Sequence, residues 1–477
     1  MILRNARDLR VAGADDARES RAGTPTPIDS RTPSAPAEVS DIEVPGPEVT
    51  IDLEGRWVVD GLWDHHVHFG QWAQYSRRLD LSSAASAAEA ASLATRAAAA
   101  NPPAAGTVFL ASGFRDGLWP DAPSRELLES EHPIALISGD VHTIWVNGTA
   151  LRMLGRSEED WWLREQPAFD LTRRLSEVPA TVLDAWALEA AAAAAARGVV
   201  GIVDFEMDDA PGSWARRTAA GFRGLRVRAA VYPHTPTPPE PSGLWEIGPY
   251  KLFTDGSLNT RTAWCDHPYP GTTDAGLPTY PPGGLLAAAR EGVARGLSPA
   301  IHAIGDRAVT EALDVFQALG GSAAISGGSV EHVQLIEDAD LPRFAALGIR
   351  ASVQPEHAMD DRDVADRYWA GRTGRSFAYR ALLDAGADLA LGSDAPVAPL
   401  DPWITMAAAT TRTRGDRTPW HPEQAITPAE ALHASTHPTP GDLVILDADP
   451  TVAENLRTMP VHATMVAGEW TFGPSTE

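Results

Sequence analysis

Asp64-His65-His66-Val67-His68 closes a largely apolar run that begins at Trp57 and ends at Trp63. In a β-strand, residues two apart point to the same side. His66 and His68 therefore project together and can share one cation, while Val67 faces the other way. A polar strand end carrying two solvated imidazoles is the other reading of this tripeptide, since His is common at both kinds of position. The rest of the chain has to decide between them.

The chain has 477 residues, 44% of them hydrophobic, which is enough for one barrel-sized domain with an accessory piece or for two to three domains. Its net charge of −25 repels phosphate backbones and anionic membranes, so neither nucleic acid nor a membrane is an expected partner. The one cysteine, Cys265, excludes an intrachain disulfide and fits a reducing compartment. Its neighbours, Trp264 and Asp266, supply no activating cation, so a structural thiol is expected. Met1-Ile2-Leu3-Arg4-Asn5 lacks the apolar core of a signal peptide. The longest small-residue tract, Ala190 to Ala196, is too short to span a bilayer. These features predict a soluble, cytoplasmic protein.

Outward from the histidine pair, both ends of the chain carry short strand patterns. Met1 to Val11 and Val49 to Gly55 lie on one side, and Asp442 to Asp447, His462 to Val466 and Trp470 to Phe472 on the other. Between the first two, Ala12 to Glu48 is rich in Gly, Pro, Ser, Thr, Asp and Glu. It has too few large apolar residues to offset its ordering entropy and is expected to be disordered or loosely held. A small β domain made from residues 1–57 and 438–477 follows.

The middle, 58–437, alternates strand-like apolar runs with Ala-rich helical runs, as in an α/β fold with a parallel sheet. Thr427-Pro428-Ala429-Glu430 is a capping box, Asp306 is placed to cap a helix over Arg307 to Leu319, and Asp184 to Arg197 reads as a third helix. The strands are Val58–His68, Val199–Phe205, Val227–Tyr232, Ile247–Phe253, Pro299–Ala303, Ser329–Val333, Arg350–Val353 and Leu389–Gly392. Eight is the number that closes a (β/α)8 TIM barrel. A long insertion, about 80–182, separates the first strand from the second.

In such a barrel the carboxyl ends of the strands converge on one mouth, where active sites sit. His66 and His68, Lys251, His302, His332 and Asp394 all stand at those ends. Singly, a strand lysine can snorkel to solvent, a histidine can be a hydrogen-bonded core residue, and an aspartate after Gly-Ser can cap a turn. Jointly, those explanations must account for four histidines, a lysine and an aspartate at equivalent positions.

Several further stretches complete a pattern. They are Val141-His142-Thr143-Ile144-Trp145-Val146-Asn147, Lys251-Leu252-Phe253-Thr254-Asp255-Gly256-Ser257 running on to Ala263, and His302-Ala303-Ile304-Gly305-Asp306. Glu331-His332-Val333-Gln334, Gln354-Pro355-Glu356-His357 and Gly392-Ser393-Asp394-Ala395-Pro396-Val397 follow. With Asp64 to His68, these motifs resemble the amidohydrolase superfamily, and within it the YtcJ-like group (amidohydrolase family 3) that includes N-substituted formamide deformylase. The resemblance departs at Val59-Asp60-Gly61, where Pro-Gly is usual, and in the shortened tract His433 to Gly441.

The resemblance implies a metal-bearing TIM barrel with a small β-sandwich composed of both termini. It implies that His66, His68 and Asp394 hold one divalent cation and His302 and His332 a second, with Lys251 bridging them as a carbamate. An ammonium cannot ligate a cation, whereas a carbamate offers two anionic oxygens. Imidazole and carboxylate ligands suit zinc, with manganese, iron and nickel also open, and one or two ions per chain. Metal-bound hydroxide, with Asp394 carrying the proton, would cleave an amide or other C–N bond of a small molecule, of formamide, N-acyl or cyclic amide type. Deamination, ester hydrolysis and a non-catalytic ligand-binding barrel are the alternatives. His142, Asn147, Asp255, Arg261 and Trp264 are the candidate substrate-binding residues, with loop structure as the alternative for each and the favoured one for Asn147, Asp255 and Trp264. Trp72, Trp119, Trp161 and Trp162 could line a pocket or pack. A homo-oligomer is open. No Gly-x-Ser-x-Gly elbow is present, which disfavours a serine nucleophile.

Overall fold

The computed structural model describes residues 1–10, 39–45, 50–81, 83–114, 116, 119–138, 143–164, 166–320 and 327–473. Contacts divide the chain into two compact units, Met1–Phe69 with Ala191–Glu477, and Gly70–Ala190. The insertion expected at 80–182 lies within the second.

The larger unit contains a parallel eight-stranded sheet. Its strands are β1 (Leu62–Val67), β2 (Val199–Asp204), β3 (Arg226–Val231), β4 (Trp245–Phe253), β5 (Pro299–Ala303), β6 (Ser329–His332), β7 (Arg350–Val353) and β8 (Asp388–Leu391). They pair in sequence order from β1 to β8. The ring is drawn shut past the end of β8. Asp394 N–H donates to the His66 carbonyl at 2.7 Å, and His68 N–H donates to the Ala395 carbonyl at 2.9 Å. The Asp64 carboxylate accepts from the Ser393 and His66 N–H groups, which fastens the first strand to the last. This is the TIM barrel expected from the sequence. All six residues of β1 are buried, as a strand covered on both faces requires.

The expected first strand, Val58–His68, is two strands. Trp57–Asp60 belongs to another sheet, and β1 begins at Leu62. Gly61 makes the change of sheet possible, because a Cβ there would lie 2.3 Å from the Val200 side chain. That second sheet has seven strands and gathers both termini. Ile2–Asp8, Val39–Glu43 and Thr50–Asp52 join Trp57–Asp60, Leu443–Leu446, Val461–Val466 and Glu469–Phe472. Its core is Leu3, Ala6, Ile42, Val58, Leu443, Ile445, Ala463 and Met465. Val39–Glu43 pairs antiparallel with Ile2–Asp8, although composition put it in the loose excursion. Residues 11–38 and 46–49 of that excursion lie outside the described residues. Arg226, at the start of β3, anchors this sheet through the buried Asp442 carboxylate at 2.5 and 3.1 Å.

Helix starts follow the local chemistry. Thr427 and Glu430 form the expected capping box. Asp306 is the first helical residue and Gly305 the cap, because the Asp306 carboxylate instead accepts from Asp266 N–H and pairs with Arg372. The Ala-rich helix runs from Ala180 to Ala195, four residues earlier than expected.

The Gly70–Ala190 unit has its own five-stranded sheet, with Ile134–Ser138 central, and the helix Ala87–Ala100 capped by Ser86. Trp119, Trp161 and Trp162 pack on its apolar core, and Trp119 donates to the Ala84 carbonyl. Among the described residues no single helix is long and apolar enough to cross a membrane.

Candidate active site at the carboxyl ends of the strands

Six of the side chains singled out in the sequence meet at the mouth of the barrel. Neighbouring strands are in register so that Phe253 is level with His302 and Ala303 with His332. His66 and His332 have ring centroids 4.9 Å apart, and His332 and His302 are 4.6 Å apart. The Asp394 carboxylate lies 3.3 Å from His68 Nε2 and 3.7 Å from His66 Nε2 through the same oxygen. Lys251 is buried beside them, its Nζ 4.6 Å from the Phe205 ring centre.

Hydrogen bonds behind the imidazoles fix which nitrogen faces the mouth. His66 Nδ1 donates to Glu331 at 2.6 Å, and the other oxygen of Glu331 is held by the Ser329 hydroxyl. His332 Nδ1 donates to Gln354 Oε1 at 2.8 Å. In both rings Nε2 is left with its lone pair toward the cluster, the arrangement that metal-ligating histidines use. The chain bends sharply to present these groups: His332, Val333 and Asp394 have φ of 77°, 45° and 57°. Non-glycine residues adopt that region at a cost, and such strain gathers at functional sites.

The electrostatics fit a cation. Burial opposes ionisation of Asp394, but His68, His332 and His357 outweigh it and hold the carboxyl well below its usual range. Burial pushes His66 and His332 well below 6.5 and His302 down to about 4, keeping these rings neutral. For His68 burial is outweighed by Asp394, which raises its pKa. Burial brings Lys251 down to about 8 against the pull of Glu331 and Asp394. About a tenth of such an amine is neutral at pH 7, a nucleophile able to take up carbon dioxide. Lys251 Nζ, His68 Nδ1 and His357 Nε2 are buried without a hydrogen-bond partner. Ligand atoms on one cation with bonds of about 2.1 Å sit about 3.4 Å apart at the tetrahedral angle, beyond the roughly 2.7 to 3.2 Å of an ordinary hydrogen bond. The Asp394 contacts of 3.3 to 3.7 Å match the first spacing. The donor set therefore suits a divalent ion.

Other expected residues have different surroundings. His302 turns Nε2 to the Gly256 carbonyl at 3.0 Å, with Asp255 at 3.5 Å. Asp255 accepts from the N–H groups of Trp264, Ile304 and Gly305, so its carboxylate binds two loops together. Arg261 is exposed, over the Tyr368 ring at 5.7 Å. Trp264 lines a cavity of about 410 Å³ with Thr254, Tyr280 and Arg307. In the Gly70–Ala190 unit, Asn147 caps a helix through Ala150 N–H, accepts from Ile134 N–H and donates to the His132 carbonyl. His142 lies outside the described residues. Cys265 is buried, and burial pushes its thiol up to about 11, in keeping with a structural role.

Three residues of the site carry weight that sequence reasoning did not give them. Glu331 and Gln354 orient ligands, and His357 reaches the cluster, its Nε2 3.7 Å from the second oxygen of Asp394. Glu331 and Gln354 sit in quoted motifs, and only their polarity inside buried strand ends could have marked them.

The sequence model of the amidohydrolase family matches residues 49–438. The chain belongs to the amidohydrolase family. Like that family it is a metal-dependent hydrolase of carbon–nitrogen bonds. The chain is 28% identical over 444 residues to Protein LONG AFTER FAR-RED 3 of Arabidopsis thaliana, covering 81% of this chain and 74% of that one. It is 32% identical to the putative amidohydrolase YtcJ of Bacillus subtilis, over 35% of this chain and 32% of that one. It is 30% identical to the N-substituted formamide deformylase of Arthrobacter pascens, over 36% of each. These likenesses place this amidohydrolase in the YtcJ-like group. In fold it resembles an uncharacterized metal-dependent hydrolase from Pyrococcus horikoshii, with a TM-score of 0.68 and 24% identity over 84% of this chain and 88% of that one.

Proposed function

We propose that this amidohydrolase cleaves an amide of a small molecule, of the formamide, N-acyl or cyclic amide type, with His66, His68 and Asp394 holding a divalent cation, most simply zinc. His332 and Lys251 stand next to that position for a second ion, with His302 the further ligand that the family resemblance assigns. The observation that carries the proposal is the Asp394 carboxylate, kept ionised in a buried pocket and set 3.3 Å from Nε2 of His68 and 3.7 Å from Nε2 of His66. A cation bound there supplies Lewis acidity and ionises water near neutral pH.

The chain's own groups do the rest. Glu331 and Gln354 hold His66 and His332 in the ligating tautomer. Lys251, as neutral amine, adds carbon dioxide to give a carbamate and one proton, and would so become an anionic ligand beside Asp394. Asp394 takes the proton of the attacking water and passes it to the departing nitrogen, without which the amine is a poor leaving group. The barrel wall of Phe205 and Phe253 keeps bulk water from Lys251. The name of the Arthrobacter relative supports a formamide as the first substrate to try.

The test is a panel of N-substituted formamides, N-acyl amino acids, cyclic imides, aryl esters and aminopyrimidines, offered to metal-loaded protein, with released amine, acid or ammonia measured. Release of amine or acid from one of the first three classes supports the proposal. Turnover confined to the esters or aminopyrimidines overturns it.

A further inference from the structure

We infer that the Gly70–Ala190 unit carries a binding site for a small organic monoanion, a carboxylate with an apolar body, in a cavity whose charged wall is Arg78 and Arg174. None of its residues takes part in the hydrolase reading above.

The cavity has a volume of about 410 Å³ and is lined wholly by residues of this unit. Ligand pockets run from about 300 to 1,000 Å³, so it is of ligand size. The turn after the helix Phe69–Tyr75 supplies Arg77 and Arg78, the helix Gln166–Ser176 supplies Arg174, and the helix Ala180–Ala195 supplies Trp186. The chain as a whole has 64 acidic residues against 39 Lys and Arg. The cavity reverses that balance, with three arginines and one carboxylate, Glu177, in its wall.

The three arginines are not equivalent. Arg77 is paired with Glu189 and lies over the Trp186 ring at 5.2 Å. Arg78 has no carboxylate within ion-pair distance among the described residues. Its Nε is buried without a hydrogen-bond partner, its Nη2 reaches the Ser176 hydroxyl only at 3.4 Å, and its guanidinium covers the Tyr75 ring at 5.0 Å. Burial lowers its pKa, with Tyr75 opposing. Arg226, Arg197 and Arg372, also drawn in from solvent, each hold a carboxylate, and the buried Arg412 meets two carbonyl oxygens. A guanidinium withdrawn from water without an anion costs stability. Facing a cavity of ligand size, it is a charge that a bound anion would satisfy. Arg174 is exposed, gives one N–H to the Leu154 carbonyl at 3.3 Å, and likewise has no carboxylate among the described residues.

Charge and shape choose the ligand. With Arg77 and Glu189 cancelling, Arg78 and Arg174 against Glu177 leave one positive charge. A carboxylate balances it, whereas a phosphate monoester, with about two negative charges at neutral pH, overshoots. The forked N–H groups of a guanidinium match the two oxygens of a carboxylate. Much of the remaining wall is apolar: Phe109, Met153, Leu154, Leu175 and Trp186. Met153 lines the cavity yet is 42% exposed, and an apolar ligand would cover it.

Calorimetric titration of the chelator-treated chain with naphthoate tests this, chelation removing any cation that would take a carboxylate at the barrel. Naphthoate is expected to bind, naphthamide and naphthyl phosphate each more weakly. In Arg78→Gln its affinity is expected to fall about 10- to 100-fold, with circular dichroism unchanged. A wild type that does not bind naphthoate, a naphthamide or naphthyl phosphate that binds as tightly as the acid, or wild-type affinity in folded Arg78→Gln overturns the inference. If Arg78→Gln does not fold, Arg174→Gln, at an exposed position, takes its place: weakened binding supports the inference and wild-type affinity overturns it. All of these outcomes leave the hydrolase reading as it stands.

Discussion

At the residue scale, function turns on protons placed by neighbours. Asp394→Asn keeps the shape and the hydrogen bond to the His66 carbonyl but cannot accept a proton. Turnover of the best substrate is expected to drop by about 10²- to 10⁴-fold, with circular dichroism unchanged; kcat within threefold of wild type would remove Asp394 as the proton carrier. Glu331→Gln still fills its space, but it can turn an N–H toward His66 Nδ1 and so release the ring. Zinc affinity is expected to weaken about 10- to 100-fold, read by competition with a chelator, and unchanged affinity would make Glu331 a structural residue only. Of these side chains, the sequence named the direct ligand candidates, because ligand types at strand ends are visible in one dimension. Glu331, Gln354 and His357 matter through contacts 22 to 265 residues away, which no local pattern expresses.

At the element scale, the barrel is legible where burial repeats and obscure where one chain changes sheets. The eight strands emerged from runs of Val, Ile, Leu and Ala between helical tracts, since a strand covered on both faces needs apolar residues throughout. The break at Gly61 is not visible in the sequence, because the run from Trp57 to Trp63 is largely apolar on both sides of it. Gly392 is a further constraint hidden in the sequence. It follows β8, and a Cβ there would lie 2.6 Å from His66 N and 3.0 Å from the Asp64 carboxylate. Backbone cannot retreat as a flexible side chain can. Gly392→Ala is expected to cost about 1 to 3 kcal/mol in urea unfolding and to lower metal occupancy by displacing His66. Wild-type stability and full occupancy together would mean that β1 can shift freely.

At the scale of the whole molecule, stability and pH are linked through the buried histidines. Folded His66 and His332 have pKa values well below 6.5, and His302 lies at about 4. Unfolded imidazoles protonate near 6.5. Between pH 6.5 and about 4 the unfolded chain therefore binds more protons, and stability is lost as the pH falls through that window, by up to about 1.4 kcal/mol per pH unit for each independent ring. His68 acts in the opposite sense. Asp394 raises its pKa, so its share is present below 6.5 and fades as the pH rises through the raised value. With His65 and His437, five described rings are depressed against one raised, so the histidines together lower the stability of chelator-treated protein as the pH falls from 7 to 4, opposed by Asp64 and Asp255, whose carboxyls burial raises to about 6 and about 7. In an NMR titration His66 and His332 are expected to stay neutral through pH 6.5, and a ring that protonates near 6.5 would show that it is not closed off from water. The terminal sheet was readable as paired strand patterns at both ends, but its Val39–Glu43 strand was not. Its pairing with Ile2–Asp8 is specified across residues whose composition suggests no strand.

The seven-stranded sheet has a bearing on how this chain can be shortened. Trp57–Asp60 lies between Ile2–Asp8 and Leu443–Leu446, and a single glycine joins it to the strand that carries His66. Trimming the first ten residues would strip one flank of Trp57–Asp60 and leave a row of unsatisfied amides and carbonyls open to other copies. Clumping in solution, ahead of any loss of catalysis, is the failure such a truncation invites.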